Sequence, residues 1–129
     1  MESGGNHRRD LGRLGEDLSC EWLLQHGHVI LERNWRSGHL EIDVITFDAE
    51  GIHFVEVKTR KESIQAPPQD NVNYTKQRRL AKAANAFLNR AETLPYADME
   101  CFFDVIAVTF HGSAYEIEWI PQAYIPIYK

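Results

Sequence analysis

Two apolar segments, residues 39–47 and 51–59, constrain this chain most strongly, because charged side chains interrupt each of them at alternating positions. The charged residues are Glu41 and Asp43 in the first segment, and Glu56 and Lys58 in the second. Side chains alternate between the two faces of a strand, so the members of each pair share a face. A charge among apolar neighbours is costly unless it is paired or binds a metal. The pattern therefore predicts two neighbouring strands that carry a charged site on one face.

Hydrophobic periodicity and turn-forming residues divide the rest of the chain into further helices and strands. The sequence Asp48-Ala49-Glu50-Gly51 predicts a turn between the two charged strands. The predicted elements are helices at 11–26 and 73–91, and strands at 28–36, 39–47, 51–59, 101–110 and 114–120. Their order along the chain is αβββαββ.

This order predicts an α/β domain with a mixed central β-sheet of about five strands, flanked by helices. The near-continuous apolar character of the two central strands indicates a sheet that is covered on both faces. A chain of 129 residues suits a single domain over residues 1–129. Residues 1–10 are predicted to form a flexible N-terminus. Segment 62–72, which contains Gln65-Ala66-Pro67-Pro68-Gln69-Asp70, is predicted to form a mobile surface loop.

The first predicted helix contributes an acidic residue, Glu16, whose direction matters for the site. The apolar stripe of this helix consists of Leu11, Leu14, Leu18 and Trp22, and Gly27 suits the position just after its end. At about 100° per residue, Glu16 lies on the side away from this stripe, near Cys20 and Leu23. Glu16 is therefore either exposed to solvent or turned toward a second surface.

Composition and charge distribution limit the compartment and the partners. The polar N-terminus and the absence of any membrane-length apolar run predict a cytoplasmic protein without a membrane partner. Cys20 and Cys101 form no Cys-x-x-Cys pair and the histidines show no paired spacing, which argues against a structural zinc site. The net charge is −5, but residues 53–90 hold eight Lys and Arg against three Asp and Glu. This basic segment suits a nucleic-acid partner, most simply DNA, and equally suits a solvated helix face.

The charged residues of the two central strands suit the hydrolysis of a phosphodiester bond. That reaction needs charge stabilisation at the phosphate and a nucleophilic water, and a hard cation such as Mg²⁺ or Mn²⁺ provides both. Asp43 and Glu56 are the predicted metal ligands, because carboxylate oxygens hold such cations best. Lys58 is predicted to orient the water or neutralise the phosphate. Glu16 is predicted to complete the catalytic set, and Glu41 to support the ligands without binding the metal.

The pattern Asp43…Glu56-Val57-Lys58 resembles the PD-(D/E)xK core of restriction-endonuclease-like nucleases. Most of the chain is similar to the YraN-like family of small bacterial proteins, described as predicted endonucleases related to archaeal Holliday-junction resolvases. The resemblance implies a restriction-endonuclease-like fold and the acidic site described above. Its segments are Gly12-x-x-Gly15-Glu16, Arg33-Asn34-Trp35-Arg36, Glu41-Ile42-Asp43-Val44-Ile45, Phe54-Val55-Glu56-Val57-Lys58-Thr59-Arg60, Lys76-Gln77-Arg78-Arg79-Leu80, Phe103-Asp104-Val105 and Gln122-Ala123-Tyr124. Leu40 and Phe102 stand where the family usually has glycine and arginine.

The favoured function is a metal-dependent endonuclease that acts on DNA, including branched or structured DNA. Arg60, Lys76 and Arg79 are the predicted nucleic-acid contacts. Lys76 projects from the start of the second helix toward the sheet, where it contacts phosphate or covers the core with its aliphatic stem.

Two other functions stay open on the sequence alone. One is a non-catalytic nucleic-acid-binding module that keeps the nuclease fold, in which the charged strand residues form a salt bridge. The other is a protein-interaction subunit whose tail offers Tyr124 and Tyr128. A homodimer is also open, because one site cuts one strand and a junction needs two cuts.

Overall fold

The computed structural model describes residues 4–62, 74–90, 96 and 98–123, with side chains described from Asp10 onward. Its elements are α1 (Gly4–Gln25), β1 (Val29–Ser37), β2 (Leu40–Phe47), β3 (Ile52–Lys61), α2 (Tyr74–Leu88), β4 (Cys101–His111) and β5 (Ala114–Ile120). The α/β class, the order αβββαββ and the restriction-endonuclease-like arrangement are confirmed. From residue 63 onward the predicted loop lies outside the described residues, and so does the tail from residue 124.

The five strands form one mixed sheet in which the spatial order equals the order along the chain. Neighbouring strands are antiparallel except for β3 and β4, which are parallel. A parallel pair needs a crossover connection, and α2 lies in it. β3 pairs with β4 along its whole length, whereas its pairing with β2 covers only Val44 opposite Val55 to Phe47 opposite Ile52. The charged segment of β2, which precedes Val44, therefore lies outside the region in which β2 pairs with β3.

α1 is longer at its start than the periodicity predicts, since it begins at Gly4. The C-terminal end of α1 lies where Gly27 predicts it. Gly27 has a φ of 90°, its N–H donates to the Leu24 carbonyl at 3.3 Å, and the His28 N–H donates to the Leu23 carbonyl at 3.0 Å. This Schellman motif fixes the direction in which the chain enters β1. In the part of the chain that the structure describes, neither helix combines the length and apolar character required to cross a membrane.

α2 covers one face of the sheet with the side that its sequence predicts. The exposed residues Arg78, Lys82 and Asn85 lie on its other side, also as predicted. The Phe87 ring meets the Trp35 ring edge-on, with a centroid distance of 5.5 Å. The buried cluster beneath α2 contains Leu80, Ala83, Ala84, Phe87, Trp35, Ile42, Ile45, Ile52, Phe54 and Phe103.

α1 covers the opposite face, but not with its leucine stripe. Leu14 is 45% exposed, whereas Cys20 and Leu23 are buried against the sheet. Gly15 allows this orientation, because a Cβ at Gly15 would lie 2.1 Å from Oγ1 of Thr59 in β3. Close approach of the helix backbone to β3 thus decides which side of α1 faces the core. The same rotation turns Glu16 toward the sheet.

Gly15→Ala is expected to destabilise the protein by about 1–3 kcal/mol, because the added methyl group overlaps Thr59 and forces α1 away from β3. Gly12→Ala is the matched control, since nothing lies within 4 Å of a Cβ at that position. Alanine there should stabilise the helix by up to about 1 kcal/mol. Urea unfolding measures both effects. A Gly15→Ala variant as stable as the wild type would show that α1 does not dock through this contact.

Candidate active site

The charged residues of β2 and β3 converge beyond the paired region of the two strands. Glu41, Asp43 and Glu56 line a cavity of about 190 Å³, together with Lys76 and Leu80 of α2. The structure therefore brings together the predicted ligands Asp43 and Glu56, as the period-two pattern implies. It places the cavity on the face of the sheet that α2 covers.

Asp43 is held by the backbone of the neighbouring strand. Its Oδ2 accepts a hydrogen bond of 2.9 Å from the N–H of Val57. Burial raises the pKa of Asp43 to about 6, the Val57 N–H opposes this rise, and the carboxylates of Glu56, Glu41 and Glu16 add to it. Three other carboxylates thus lie close enough to repel that of Asp43, and a cation would offset that repulsion.

The two carboxylate oxygens of Glu56 differ in whether they have a partner. Its Oε2 lies 3.2 Å from Nζ of Lys58 and also contacts Nζ of Lys76. Its Oε1 is buried and has no hydrogen-bond partner among the described residues. Leaving a buried polar atom unsatisfied costs free energy. Glu56 Oε1 is therefore the atom of this cavity that most needs a positively charged ligand.

Two ammonium groups share the single oxygen Glu56 Oε2. Burial lowers the pKa of Lys58, and the neighbouring Lys76 lowers it further. Burial is also the largest influence on the pKa of Lys76 and lowers it, but the hydrogen bonds to Glu56 and Lys58 and the negative charges of Glu56 and Asp43 together outweigh burial, so that the net direction is upward. Lys76 reaches the sheet from the first turn of α2, as predicted. Its contact with phosphate stays a prediction.

Glu16 is turned toward β1 rather than toward solvent, which decides between the two orientations that the helix pattern left open. Its Oε1 accepts hydrogen bonds from Nη2 of Arg33 at 2.8 Å and from Nδ2 of Asn34 at 2.9 Å. Arg33 also pairs with Asp17 at 2.6 Å. Glu16 does not line the acidic cavity, but its carboxylate lies close enough to raise the pKa of Asp43. Its catalytic role stays a prediction.

The sequence did not indicate a role for Arg33 and Asn34, although both hold the Glu16 side chain in place. Asn34 has a φ of 53°, the left-handed conformation that asparagine tolerates better than most residues other than glycine. Around it, Arg33 reaches α1 while Trp35 packs against Phe87 of α2. Regular alternation would put Arg33 and Trp35 on one face. The signal in the sequence for this break in the alternation of β1 was an asparagine in the middle of the strand.

Glu41 lies at the rim of the cavity. Its Oε2 is 3.5 Å from Nη2 of Arg36, and the side chain is exposed. Glu41 raises the pKa of Asp43 from a distance, which suits a supporting position.

The three predicted nucleic-acid contacts lie on β3 and α2, the elements that border the cavity. Arg60 follows Lys58 on the same face of β3, and its Nε donates to Oγ1 of Thr109 at 3.3 Å. Arg79 is exposed on α2, whereas Lys76 is held at Glu56.

The donors of the cavity fit a hard cation. Carboxylate oxygens of Asp43 and Glu56 are the ligand type that Mg²⁺ and Mn²⁺ favour, and Glu56 Oε1 offers an unpartnered one. Lys58 adds a positive charge beside the same carboxylate. An anionic substrate could therefore meet a cation and an ammonium group at one point.

Comparison with known proteins agrees with the motif resemblance. The model of the family described as "Uncharacterised protein family UPF0102", the YraN family, matches residues 15–108, which contain every predicted site residue. A UPF0102 protein of Geobacter metallireducens is 43% identical over 118 residues, covering 92% of this chain and 94% of the relative. UPF0102 proteins of Chlorobium chlorochromatii and Bacteroides thetaiotaomicron are 40% and 34% identical, covering 92% and 91% of this chain and 94% and 93% of the relatives. The predicted family is confirmed.

Proposed function

The chain belongs to the UPF0102 family, and we propose that it is an endonuclease that hydrolyses DNA phosphodiester bonds with a divalent cation, Mg²⁺ or Mn²⁺. The observation that carries this proposal is the buried, unpartnered Oε1 of Glu56 in a cavity shared with Asp43. The large majority of buried side-chain polar atoms in proteins have a hydrogen-bond partner, so an oxygen without one calls for an explanation. An oxygen left open beside a second carboxylate and a lysine suits a cation and a phosphate.

In this mechanism Asp43 and Glu56 would hold the cation. When bound, the cation neutralises charge on the scissile phosphate and makes a water more acidic. The Val57 N–H keeps the Asp43 carboxylate directed into the cavity. Lys76 keeps Glu56 in place from the α2 side.

Lys58 is the residue proposed to act on the reacting groups. Its Nζ lies 3.2 Å from Glu56 Oε2, so it is next to the point where the phosphate would enter. From this position it would donate a hydrogen bond to a phosphate oxygen or to the attacking water. Such a donor stabilises charge that develops in the transition state. Arg60 and Arg79 would contact the DNA backbone on either side.

A second candidate is a nucleic-acid-binding module without catalysis. The observation in its favour is that Lys58 and Lys76 both pair with Glu56, so part of the acidic charge is already neutralised by the protein. This module would bind DNA without a metal, and its affinity would fall steeply with salt.

The proposal predicts cutting in Mg²⁺ or Mn²⁺ and none in EDTA when the protein is incubated with linear, nicked, flap and four-way-junction DNA. Glu56→Gln should slow cutting at least about 100-fold, because losing a ligand should exceed the 10- to 100-fold effect of losing a ligand's hydrogen-bond partner. Glu118→Gln, an exposed change on β5, is the matched control and should cut normally.

Each outcome of this assay favours one candidate. Cutting that continues in EDTA, or at the wild-type rate in Glu56→Gln, would contradict the nuclease proposal. Absence of cutting together with salt-sensitive DNA binding would favour the binding module.

A further inference from the structure

A second cluster of side chains of the types that bind metals lies at the turn between β2 and β3. It consists of His28 just before β1, Asp48 in the turn, and His53 at the start of β3. One potential ligand atom of each lies within 4.8 Å of those of the other two. His53 and Glu56 are separated by an odd number of positions in β3, so their side chains leave opposite faces of the sheet. The cluster is therefore separate from the acidic cavity.

Backbone motifs hold two of these residues in place. The His28 N–H is bound by the carbonyl of Leu23 in the motif that ends α1. The Asp48 side chain accepts the N–H groups of Glu50 at 2.9 Å and Gly51 at 3.3 Å through Oδ1, which anchors it within the turn. Neither residue depends on an ion for its position. The site is thus formed by the fold itself.

The two imidazole rings present the same nitrogen to Asp48. Nδ1 of His53 is hydrogen-bonded to Oδ2 of Asp104 at 2.6 Å, and Nδ1 of His28 to Oγ1 of Thr46 at 2.7 Å. Asp104 is fully buried, and its other oxygen accepts the Gln122 N–H. Histidines that bind metals characteristically have the second ring nitrogen held by a carboxylate or another polar group. Here that arrangement directs both Nε2 atoms toward Asp48, to which the Nε2 of His53 is hydrogen-bonded at 2.9 Å.

The separations between the ligand atoms suit a small tetrahedral ion. His53 Nε2 lies 2.9 Å from Asp48 Oδ1, and His28 Nε2 lies 3.6 Å from Asp48 Oδ2. Ligands at about 2 Å around a tetrahedral Zn²⁺ lie about 3.3 Å from one another. The two observed separations end on different oxygens of Asp48 and lie on either side of this value. An ion between the three side chains would therefore bind both oxygens of Asp48, or one of them after rotation of the carboxylate.

The cluster opens into a cavity of about 400 Å³. Trp22, Phe102 and Trp119 line this cavity together with both histidines. The Phe102 ring stacks on His53 with a centroid distance of 4.9 Å, which fixes the plane of the imidazole. A three-residue site beside an open cavity has room for a water or a small ligand at the fourth position.

We propose that His28, Asp48 and His53 form a binding site for one divalent transition-metal ion of the Zn²⁺ class. Two imidazole nitrogens and one carboxylate favour such an ion over Mg²⁺, which prefers oxygen ligands. The separate spacing of the histidines along the chain argued against a zinc site. The site arises instead from strand pairing, because Ile30 and His53 both lie opposite Thr46.

The two histidines of the cluster differ in their contacts with Asp48. Hydrogen bonds satisfy His53, which lies between Asp104 and Asp48. His28 Nε2, at 3.6 Å from Asp48 Oδ2, is too distant for a hydrogen bond. The Nε2 of His28 borders the open cavity, where an ion could join it to Asp48.

Titration with Co²⁺ in excess Mg²⁺ tests the proposal, because Co²⁺ in a tetrahedral site absorbs strongly in the visible. The expected result is one such Co²⁺ ion per chain, displaced by Zn²⁺. Asp48→Asn and His28→Gln should each weaken Zn²⁺ binding about 100-fold or more, measured by calorimetry. Circular dichroism verifies that both variants are folded.

Two control variants distinguish this site from others in the chain. His39→Gln changes an exposed histidine in the turn between β1 and β2, and Glu56→Gln changes the acidic cavity. Both should keep the visible Co²⁺ bands of the wild type in excess Mg²⁺, which would fill the acidic cavity. Absence of the visible bands, their persistence in Asp48→Asn, or their loss in Glu56→Gln would overturn the proposal.

Discussion

Lys58→Met is expected to slow metal-dependent DNA cutting about 1,000-fold, because a positioned donor to the reacting phosphate or water contributes on this scale. Methionine keeps much of the aliphatic length of lysine but removes the ammonium group. Glu56 retains its contact with Lys76, so the variant should fold normally. Single-turnover cutting rates with saturating Mg²⁺ or Mn²⁺ measure the effect, and thermal unfolding checks the fold.

Lys82→Met is the matched control for this prediction. Lys82 is exposed on α2 and faces away from the sheet, so its replacement should leave the cutting rate unchanged. DNA binding by Lys58→Met should persist, since the proposed backbone contacts Arg60 and Arg79 remain. A Lys58→Met variant that cuts at the wild-type rate would remove Lys58 from the mechanism.

Asp43→Asn should abolish cutting and at the same time stabilise the protein at neutral pH. Burial raises the pKa of Asp43 from 3.8 to about 6, so the native state binds a proton between these values that the unfolded state does not. Stability should therefore fall as pH rises through this window, and the penalty is complete above it. The difference in pKa corresponds to about 3 kcal/mol, part of which asparagine should recover.

Urea unfolding between about pH 4 and pH 7 measures this prediction. The wild type should lose stability relative to Asp43→Asn as pH rises, and Mg²⁺ should restore it only in the wild type. Asp98→Asn, an exposed change, should show neither effect. Equal pH profiles for the wild type and Asp43→Asn would show that the buried carboxylate of Asp43 does not lower the stability of the protein.

The sequence predicts the two central strands well because their pattern is local. Alternation along β2 and β3 is sufficient to place Asp43 near Glu56, and apolar flanks are sufficient to bury both. The basic side of α2 is likewise visible in its periodicity. In these cases neighbouring residues in the chain carry the whole signal.

The orientation of α1 could not be predicted in the same way. Its strongest periodicity belongs to the leucine stripe, but the side that faces the sheet is chosen by how closely a backbone can approach Thr59, which only Gly15 permits. His28 and His53 were missed for a related reason. They come together through the pairing of three strands, and no spacing along the chain records that pairing.

The short pairing between β2 and β3 bears on which ions the acidic cavity accepts. On the N-terminal side of Val44, the contact described between β2 and β3 is the hydrogen bond from the Val57 N–H to Asp43. Glu56 lies on β3, which pairs with β4 along its whole length. Both carboxylates therefore lie where β2 and β3 have separated, with the segment of Asp43 held by β1 and Glu56 held by β4. Ions differ in radius, with bonds to oxygen of about 2.1 Å for Mg²⁺ and about 2.4 Å for Ca²⁺. Because no backbone ladder joins the two segments at this point, the distance between the carboxylates can adjust to ions of different radius without breaking strand pairing.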